Sequence, residues 1–353
     1  MKALILSGGV GTRLRPFTYS MPKQLVPVAN KPILVHCLEN IRVIGVKDVA
    51  IVVGDRAQEI RAVVGDGSAY GLNVSYIQQE APLGLAHCVS IAEDFLGDDD
   101  FVMYLGDNVL AEGIAESARS FAADRPAAQL LLTKVADPSA YGVAEVDAEG
   151  RVLALAEKPQ RPSSDLAVIG VYFFTAAVHD AVRAIGPSAR GELEITDAVQ
   201  YLVERGDRVV GHEYAGYWKD TGSPEDLLDC NRVLLDRLSH GIRGEIDAAS
   251  TVEGPVVVEA GAVVRRSRLV GPLVIGAGSV VQDSELGPGT ALGRDCVLED
   301  AGIRHSILLD GASIRGVRGL YGSLVGRSST VRAGGSAGLR LIIGDHTRAE
   351  VTA

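Results

Sequence analysis

The chain has 353 residues, a length typical of two domains, and 47% of them are hydrophobic, which excludes a mainly disordered protein. The formal net charge of -11 argues against a nucleic-acid partner, because proteins bind nucleic acids by neutralising phosphates with basic side chains. The sequence has no stretch of about 18 apolar residues and no signal-peptide pattern at its start, so we expect a cytoplasmic protein without a membrane partner.

The four cysteines are far apart and form no CxxC pair, so the sequence signals neither a zinc cluster nor a disulfide framework. We expect buried thiols in a reducing compartment.

Short apolar runs alternate with helical patterns at the start of the chain. Strands are predicted at 3–6, 49–53, 74–77 and 101–105, and helices at 31–43, 56–64 and 83–95. This alternation predicts an α/β domain with a mostly parallel, doubly wound sheet that binds ligands at the carboxyl ends of its strands. A helix with Ser223 as N-cap and Pro224 at its first position closes this domain, which we place at residues 1–240.

A glycine-rich turn follows the first predicted strand. Gly8, Gly9 and Gly11 allow backbone N–H groups to approach a polyanion closely. The turn matches neither a Walker A loop nor a GxGxxG helix start, so neither ATPase activity nor dinucleotide binding is favoured. The first 38 residues contain five basic side chains and no acidic one. We therefore expect a phosphate site, with Arg13 binding phosphate oxygens through its fork and Lys23 adding a point charge.

Two carboxylates are candidates for a metal site. Asp107 follows the buried strand 101–105, and Asp220 stands in the segment WKDTG. Two carboxylates together with phosphate oxygens are typical of a Mg²⁺ site, although either aspartate alone could be a turn cap. The pair Glu157 and Lys158 could place an acceptor for sugar hydroxyls beside a cation for a phosphate. A GxSxG nucleophile elbow is missing from the sequence, so covalent hydrolase chemistry is not favoured.

Residues 241–353 have a different composition. They contain 20 of the 41 glycines, no lysine and one of the 17 aromatic residues, Tyr321. Aliphatic residues recur every six positions, as at Val257, Val263 and Leu269, and this period fits one flat side of a triangular coil. Stacked coils of short parallel strands leave no room for rings. We therefore predict a parallel β-helix at residues 241–353, with an ordinary β-sandwich as the alternative.

Eight segments in a fixed order resemble the sugar-1-phosphate nucleotidylyltransferases, most nearly the long thymidylyltransferases with a C-terminal left-handed β-helix. The segments are LSGGVGTRLRPFT, MPKQLVPVANKP, QQEAPLGLAH, LGDN, YGV, EKP, RGELEITD and WKDTG. The resemblance implies a Rossmann-like, doubly wound mixed sheet followed by a left-handed parallel β-helix. It also implies in-line attack of glucose 1-phosphate on the α-phosphorus of dTTP with Mg²⁺, which yields dTDP-glucose and pyrophosphate.

The resemblance also implies roles for individual residues. Arg13 would stabilise the departing pyrophosphate, Lys23 would face the phosphates, and Asp107 and Asp220 would hold Mg²⁺ and complete the catalytic set. The residues implied for nucleotide binding are Gly8, Gly9, Gly11, Thr12, Arg13, Gln79, Gly84 and Asp107, with Gln79 and Gly84 at the pyrimidine base. The residues implied for sugar-phosphate binding are Gly142, Glu157, Lys158, Val168, Tyr172 and Arg190, although an aromatic residue at the spacing of Tyr172 fits the core equally well.

Three alternatives stay open at this point. The base or sugar could differ, for example UTP or mannose 1-phosphate, because one methyl group gives only about 1–3 kcal/mol of discrimination. The C-terminal coils could carry an acyltransferase with His305 or His346 as its base, or the chain could be an inactive sensor of nucleotide sugars. We expect a homo-oligomer in each case.

Overall fold

The computed structural model describes residues 1–9, 11–339 and 341–352. Within these residues the chain forms two compact units that do not follow chain order. The first contains residues 1–9 and 34–220, and the second contains residues 11–33 and 221–352. The predicted boundary at residue 240 falls inside the second unit, so the division into domains 1–240 and 241–353 stays a prediction. None of the described helices is long and apolar enough to cross a membrane.

Strands and helices alternate up to residue 235. The strands are β1 Lys2–Ser7, β2 Pro27–Val28, β3 Lys31–Pro32, β4 Asp48–Val53, β5 Asn73–Gln78, β6 Phe101–Leu105, β7 Asn108–Leu110, β8 Ala128–Lys134, β9 Gly142–Val146, β10 Val152–Glu157, β11 Leu166–Phe174, β12 Val209–Glu213 and β13 Trp218–Asp220. The helices are α1 Ile33–Val43, α2 Ala57–Val64, α3 Leu85–Ile91, α4 Glu93–Leu96, α5 Ala115–Asp124, α6 Ala177–Ala184, α7 Ile195–Glu204 and α8 Pro224–Leu235.

The first unit is built on a nine-stranded mixed sheet. Its main path runs β10-β9-β11-β6-β1-β4-β5, and β8 joins β11 to β12. Strands β5, β4, β1 and β6 are parallel to their neighbours in this path, as the alternating pattern predicts. The long strand β11 runs antiparallel to β6, β8 and β9, which makes the sheet mixed, as the resemblance implies. The central strands are apolar between their ends because both faces of a parallel sheet are covered.

The single helix predicted at 83–95 is wrong in its extent. The structure has two helices there, α3 Leu85–Ile91 and α4 Glu93–Leu96. Ala92, between them, leaves helical geometry with a ψ of 1°. Its amide donates to the carbonyl of Val89, three residues back, so the regular spacing of four is interrupted at this point.

Helix α8 begins as the sequence predicts. The Ser223 hydroxyl accepts a hydrogen bond from the Asp226 amide at 3.2 Å, and Pro224 occupies the first turn. Glu225 and Asp226 lie in the first turn, where carboxylates interact favourably with the helix dipole.

After residue 240 the second unit is a β-helix. Its strands are β14 Gly241–Ile242, β15 Glu245–Ile246, β16 Thr251–Glu253, β17 Val256–Val258, β18 Val263–Arg265, β19 Arg268–Val270, β20 Leu273–Ile275, β21 Val280–Gln282, β22 Glu285–Leu286, β23 Thr290–Leu292, β24 Val297–Glu299, β25 Gly302–Arg304, β26 Ile307–Leu308, β27 Ser313–Tyr321, β28 Leu324–Val325, β29 Thr330–Leu339, β30 Ile342–Ile343 and β31 Arg348–Thr352.

Every described strand pairing after residue 240 is parallel, which excludes the β-sandwich alternative, because sandwiches are built from antiparallel sheets. The pairing Val256↔Leu273↔Thr290 repeats every 17 residues, one short of three sides of six. One side of each of these coils is therefore one residue shorter than the predicted period of six. Small aliphatic side chains fill the interior of the coils, in the arrangement of a left-handed β-helix.

Buried serines at the corners of the β-helix connect one coil to the next. The hydroxyl of Ser267 accepts from the amide of Ser284 at 3.1 Å, and the hydroxyl of Ser284 accepts from the amide of Ala301 at 3.0 Å. In the same way, the hydroxyl of Ser306 accepts from the amide of Ser323 at 3.1 Å. These hydrogen bonds satisfy backbone groups that the turns leave without a partner in the ladder.

Candidate active site

Gln79 brings three predicted nucleotide residues together in the first unit. Its side chain is 9% exposed, and its Nε2 donates to the Gly84 carbonyl at 3.3 Å and lies 3.0 Å from His87 Nδ1. A Cβ added to Gly8 would lie 3.3 Å from Gln79 Oε1. The predicted base-binding amide therefore stands next to the glycine turn that follows β1, while Gly9 is exposed.

Gly84 is required by its surroundings. Its φ is +103°, and an added Cβ would lie 2.3 Å from the carbonyl oxygen of Leu193. The Leu193 backbone also accepts from the Ala86 amide and donates to the Leu83 carbonyl. The segment before α7 is thus fixed against the start of α3, which only glycine permits at this distance.

The two candidate metal ligands lie at the ends of paired strands. Asp220 ends β13 and pairs across the ladder with Asn108, the residue after Asp107. Asn108 is 3% exposed; its Nδ2 donates to Asp107 Oδ1 at 3.0 Å, and its Oδ1 accepts from Trp218 Nε1 at 2.6 Å. A buried amide thereby orients the Asp107 carboxylate.

The donor set fits a hard divalent cation. Within the described part of the chain, no cluster of three or more His, Cys, Asp or Glu side chains could hold a metal. A cation at Asp107 and Asp220 would therefore complete its shell with substrate oxygens and water, which is the usual coordination of Mg²⁺ with nucleotides.

Four of the six residues assigned to the sugar phosphate lie around a fifth, Glu157. Glu157 pairs with Gly142 across the β9–β10 ladder, and a Cβ on Gly142 would lie 3.5 Å from Glu157 Oε2 and 3.7 Å from Val168 Cγ2. Lys158 Nζ lies 3.4 Å from Glu157 Oε1, and Arg190 Nη1 donates to the same oxygen at 3.2 Å. The two cations thus lie beside the Glu157 carboxylate, and Arg190 is also 3.4 Å from the carboxylates of Glu192 and Glu194.

Tyr172 is the exception. Its side chain is 4% exposed and its ring stacks on Phe174 with centroids 5.8 Å apart, within the core of the first unit. Burial raises the pKa of the Tyr172 hydroxyl well above its usual value, and the nearby charge of Glu157 raises it further. The Tyr172 ring therefore packs in the core, and its role in sugar-phosphate binding stays a prediction.

The segment 11–33 carries the two predicted phosphate cations. Thr12 and Arg13 lie in a 3₁₀ turn, Thr12–Leu14, and Lys23 begins another, Lys23–Leu25. The Gly11 carbonyl accepts from Thr18 Oγ1 at 2.8 Å, and a Cβ on Gly11 would lie 3.0 Å from Lys23 Cβ. The segment folds back on itself, so the end of the glycine turn lies beside the predicted lysine, Lys23.

Arg13 lies against Gly222. A Cβ on Gly222 would lie 2.7 Å from Nη2 and 2.9 Å from Cζ of Arg13. Gly222 follows the predicted metal ligand Asp220 by two residues. The missing side chain at position 222 leaves the space that the guanidinium occupies.

Several polar residues near these groups received no role from the sequence. The hydroxyl of Ser7 and the Oε1 of Gln24 are buried and make no hydrogen bond within the described structure. Such atoms are costly to desolvate and are rare without a partner. Thr196 donates to Glu157 Oε2 at 3.2 Å, and Glu194 lies 3.4 Å from Arg190. Gln24, Thr196 and Glu194 lie within the motifs quoted above. Their position in those motifs is the sequence signal that could have identified them.

The histidines considered for acyl transfer lie apart from these groups in the sequence. The ring of His305 packs on that of Tyr321 with centroids 5.4 Å apart, and burial lowers the pKa of His305, an effect to which the positive charge of Arg232 adds. His346 is exposed. No observation on the described residues favours the acyltransferase, which stays a prediction.

Comparisons of this chain with known proteins agree on one family. Residues 2–237 match the nucleotidyl transferase family. The chain is 55% identical to a glucose-1-phosphate thymidylyltransferase from Streptomyces griseus, with 100% of both chains covered. It is 51% identical to the enzyme of the same name from Streptomyces antibioticus, with 99% of both covered.

A solved structure gives the same result for the fold. It is described as a glucose-1-phosphate thymidylyltransferase from Bacillus anthracis, is 33% identical and has a TM-score of 0.63. The match covers 97% of that chain and 68% of this one, so the present chain is the longer form. The chain belongs to the nucleotidyl transferase family and, within it, to the glucose-1-phosphate thymidylyltransferases.

Proposed function

We propose that the chain transfers the thymidylyl group of dTTP to glucose 1-phosphate and releases dTDP-glucose and pyrophosphate. The observation that carries this proposal is the likeness over the whole chain to two relatives named for that activity. The convergence of Glu157, Lys158 and Arg190 supports it, because an acceptor for hydroxyls beside two cations suits a sugar phosphate.

In the proposed step, a phosphate oxygen of glucose 1-phosphate attacks the α-phosphorus of dTTP in line. The bond from the α-phosphorus to the oxygen that bridges it to the β-phosphorus breaks, and pyrophosphate leaves with that oxygen. Arg13 stabilises the negative charge of the leaving group, and Lys23 offsets charge at the α-phosphorus. No protein nucleophile is needed, because positioning and charge stabilisation supply the catalysis.

Asp107 and Asp220 would hold Mg²⁺, which when bound neutralises charge on the triphosphate oxygens. Asn108 keeps the Asp107 carboxylate in one orientation through the 3.0 Å hydrogen bond, and Trp218 keeps Asn108 in place. The backbone of the glycine turn, at Gly8, Gly9, Gly11 and Thr12, would approach the nucleotide.

Gln79 and Gly84 would read the pyrimidine, since the carboxamide can pair with a base edge. These two residues do not by themselves select thymine over uracil, because one methyl group adds only about 1–3 kcal/mol of discrimination. UTP as the nucleotide, or mannose 1-phosphate as the sugar, is therefore the alternative that the test must separate.

For the cellular setting we propose the cytoplasm. All four cysteines are buried and outside any disulfide within the described structure, and burial raises the pKa of Cys88 and Cys296 to about 12, which suits inert thiols in a reducing compartment. We also propose a homo-oligomer, with neither a nucleic-acid nor a membrane partner. Ile242 and Val252, which are exposed on the β-helix, are candidates for the self-contact.

The test is a panel of dTTP, UTP, ATP and GTP against glucose 1-phosphate and mannose 1-phosphate, with Mg²⁺ present and pyrophosphate measured. The expected result is the highest kcat/KM for dTTP with glucose 1-phosphate. A higher kcat/KM for UTP or for mannose 1-phosphate would replace the substrate assignment. If no pair released pyrophosphate, the proposal would be overturned.

A further inference from the structure

The segment 11–33 belongs to the same compact unit as the β-helix, although more than 200 residues separate them in sequence. Near its end, the Ala29 amide donates to Asn231 Oδ1 at 2.8 Å, and Asn231 Nδ2 donates to the Gly289 carbonyl at 2.8 Å. Asn231 is fully buried. Helix α8 therefore fastens the end of the segment to a coil of the β-helix.

The middle of the segment is fastened to the last described coil. Ser20 Oγ donates to Asp345 Oδ2 at 2.7 Å, across 325 residues of sequence, and Arg327 Nη2 donates to the Ser20 carbonyl at 3.3 Å. A Cβ on Gly344 would lie 3.2 Å from Pro16 Cβ, so the coil also packs directly on the segment. Arg13 precedes these contacts by three residues, and Lys23 follows Ser20 by three.

Asp345 is the centre of this arrangement. Its side chain is 4% exposed, and it accepts from the Arg327 amide at 2.6 Å and from Arg327 Nε at 2.9 Å as well as from Ser20. A buried carboxylate with three donors holds a fixed position, because each charge-assisted hydrogen bond lost would leave a desolvated charge. The carboxylate thus ties Ser20 to a rigid corner of the coil.

We propose that Asp345 is a positioning residue for the transfer reaction, which acts by holding segment 11–33 so that Arg13 meets the departing pyrophosphate. This inference rests on the proposed function of Arg13. The segment consists of three short 3₁₀ turns and the two-residue strands β2 and β3, so contacts outside the segment contribute to its position. Its anchors on the coils set the position of Arg13.

The repeat supplies a matched control. Asp310 Oδ1 accepts from the Arg294 amide at 2.8 Å, as Asp345 Oδ1 accepts from the Arg327 amide. The hydrogen bonds described for the Asp310 side chain do not include one to segment 11–33. Asp310→Ala therefore removes the equivalent backbone bond between coils and leaves the segment anchored. Asp345→Ala removes that bond, the contact with Arg327 Nε and the bond to Ser20.

The experiment measures kcat and KM for Asp345→Ala, Ser20→Ala and Asp310→Ala, each also combined with Arg13→Ala. Ser20→Ala leaves Asp345 bonded to Arg327 and so tests the anchor if Asp345→Ala folds poorly. We expect Asp345→Ala and Ser20→Ala to lower kcat about tenfold. A displacement of a catalytic group by about 1 Å can lower the rate by about a hundredfold, so a partial displacement of Arg13 suffices for this loss. The KM for glucose 1-phosphate should stay at the wild-type value in Asp345→Ala and Ser20→Ala. Asp310→Ala should keep the wild-type kcat.

The combination with Arg13→Ala separates positioning from loss of folded protein. If Asp345 acts through Arg13, its removal should lower kcat by less than about twofold once Arg13 is absent, because the two effects are coupled. Cleavage by trypsin after Lys23 should also be faster in Asp345→Ala than in Asp310→Ala, whatever the activity.

An equal kcat in Asp345→Ala and Asp310→Ala, or an undiminished loss in the Arg13→Ala background, would overturn the inference while the wild-type reaction stands. Failure of the wild type to release pyrophosphate would instead overturn the proposed function, and the trypsin comparison would still report on the anchor.

Discussion

The sheet unit and the β-helix use buried polar side chains in different ways. In the sheet unit each contact occurs once, as where Asn108 links Trp218 to Asp107. In the β-helix the same contact recurs from coil to coil, as where Ser267 and Ser284 each accept an amide from the next coil. A recurring contact builds the coil. A contact that the repeat does not require, such as that of Asp345 with Ser20, indicates a function other than building the coil.

This comparison makes a general prediction. Changes at single contacts should alter catalysis, and changes at repeated positions should alter stability. The four variants below test it in order of the expected effect.

Asp107→Ala should lower kcat on the order of a thousandfold, because the proposed metal supplies several kcal/mol of charge stabilisation. The measurement is pyrophosphate release with saturating dTTP, glucose 1-phosphate and Mg²⁺. Asp283→Ala, which removes an exposed carboxylate paired with Arg266 on the coils, should keep the wild-type rate. A wild-type rate in Asp107→Ala would show that the metal assignment is wrong.

Leu298→Ala should lower the free energy of unfolding by about 2–5 kcal/mol, because this fully buried side chain leaves a cavity in the coil interior. The kcat of the folded fraction should not change. Denaturant titration measures the loss, and Val252→Ala, at a partly exposed coil position, should cost less than about 0.5 kcal/mol. A large loss of kcat with an unchanged free energy of unfolding would contradict the distinction between single contacts and repeated positions.

Arg13→Ala should lower kcat about a hundredfold and change the KM for dTTP much less, because the guanidinium is proposed to act on charge that develops in the transition state. Arg13→Lys should recover only part of the rate, since an ammonium group cannot make the paired contacts of the fork. Steady-state kinetics on both variants provides the check. A raised KM with an unchanged kcat would assign Arg13 to ground-state binding instead.

Gly222→Ala should lower kcat about tenfold and leave the melting temperature close to that of the wild type. The new methyl group would meet the guanidinium of Arg13, which is the mobile end of a side chain and can move aside without unfolding the protein. Gly241→Ala is the control, since nothing lies within 4 Å of its added Cβ. Unchanged kcat in Gly222→Ala would mean that the position of Arg13 is not critical.

Much of the fold could be predicted because it depends on local pattern. The buried strands β1, β4 and β6 are marked by apolar runs, and helix α8 begins at the predicted cap, Ser223. The β-helix follows from its period and from its lack of rings. The antiparallel half of the sheet could not be read in this way, because the direction of β11 depends on which strands it meets and not on its own residues.

The candidate site shows the same limit. The resemblance selects Glu157, Lys158 and Arg190, and the structure brings each of the two cations within 3.4 Å of the Glu157 carboxylate. Tyr172 has the residue type and spacing of a site residue but is buried in the core, because burial depends on the packing of the whole sheet. The contact between Ser20 and Asp345 spans almost the whole chain, so neither periodicity nor spacing could have predicted it.

The central claim is direct transfer, with side chains that position and stabilise but form no bond to the nucleotide. The most direct measurement is the configuration at the α-phosphorus of the product formed from one diastereomer of thymidine 5′-O-(1-thiotriphosphate). In-line attack by glucose 1-phosphate predicts inversion. Retention would require two displacements through a nucleotidyl-enzyme intermediate and would contradict the account.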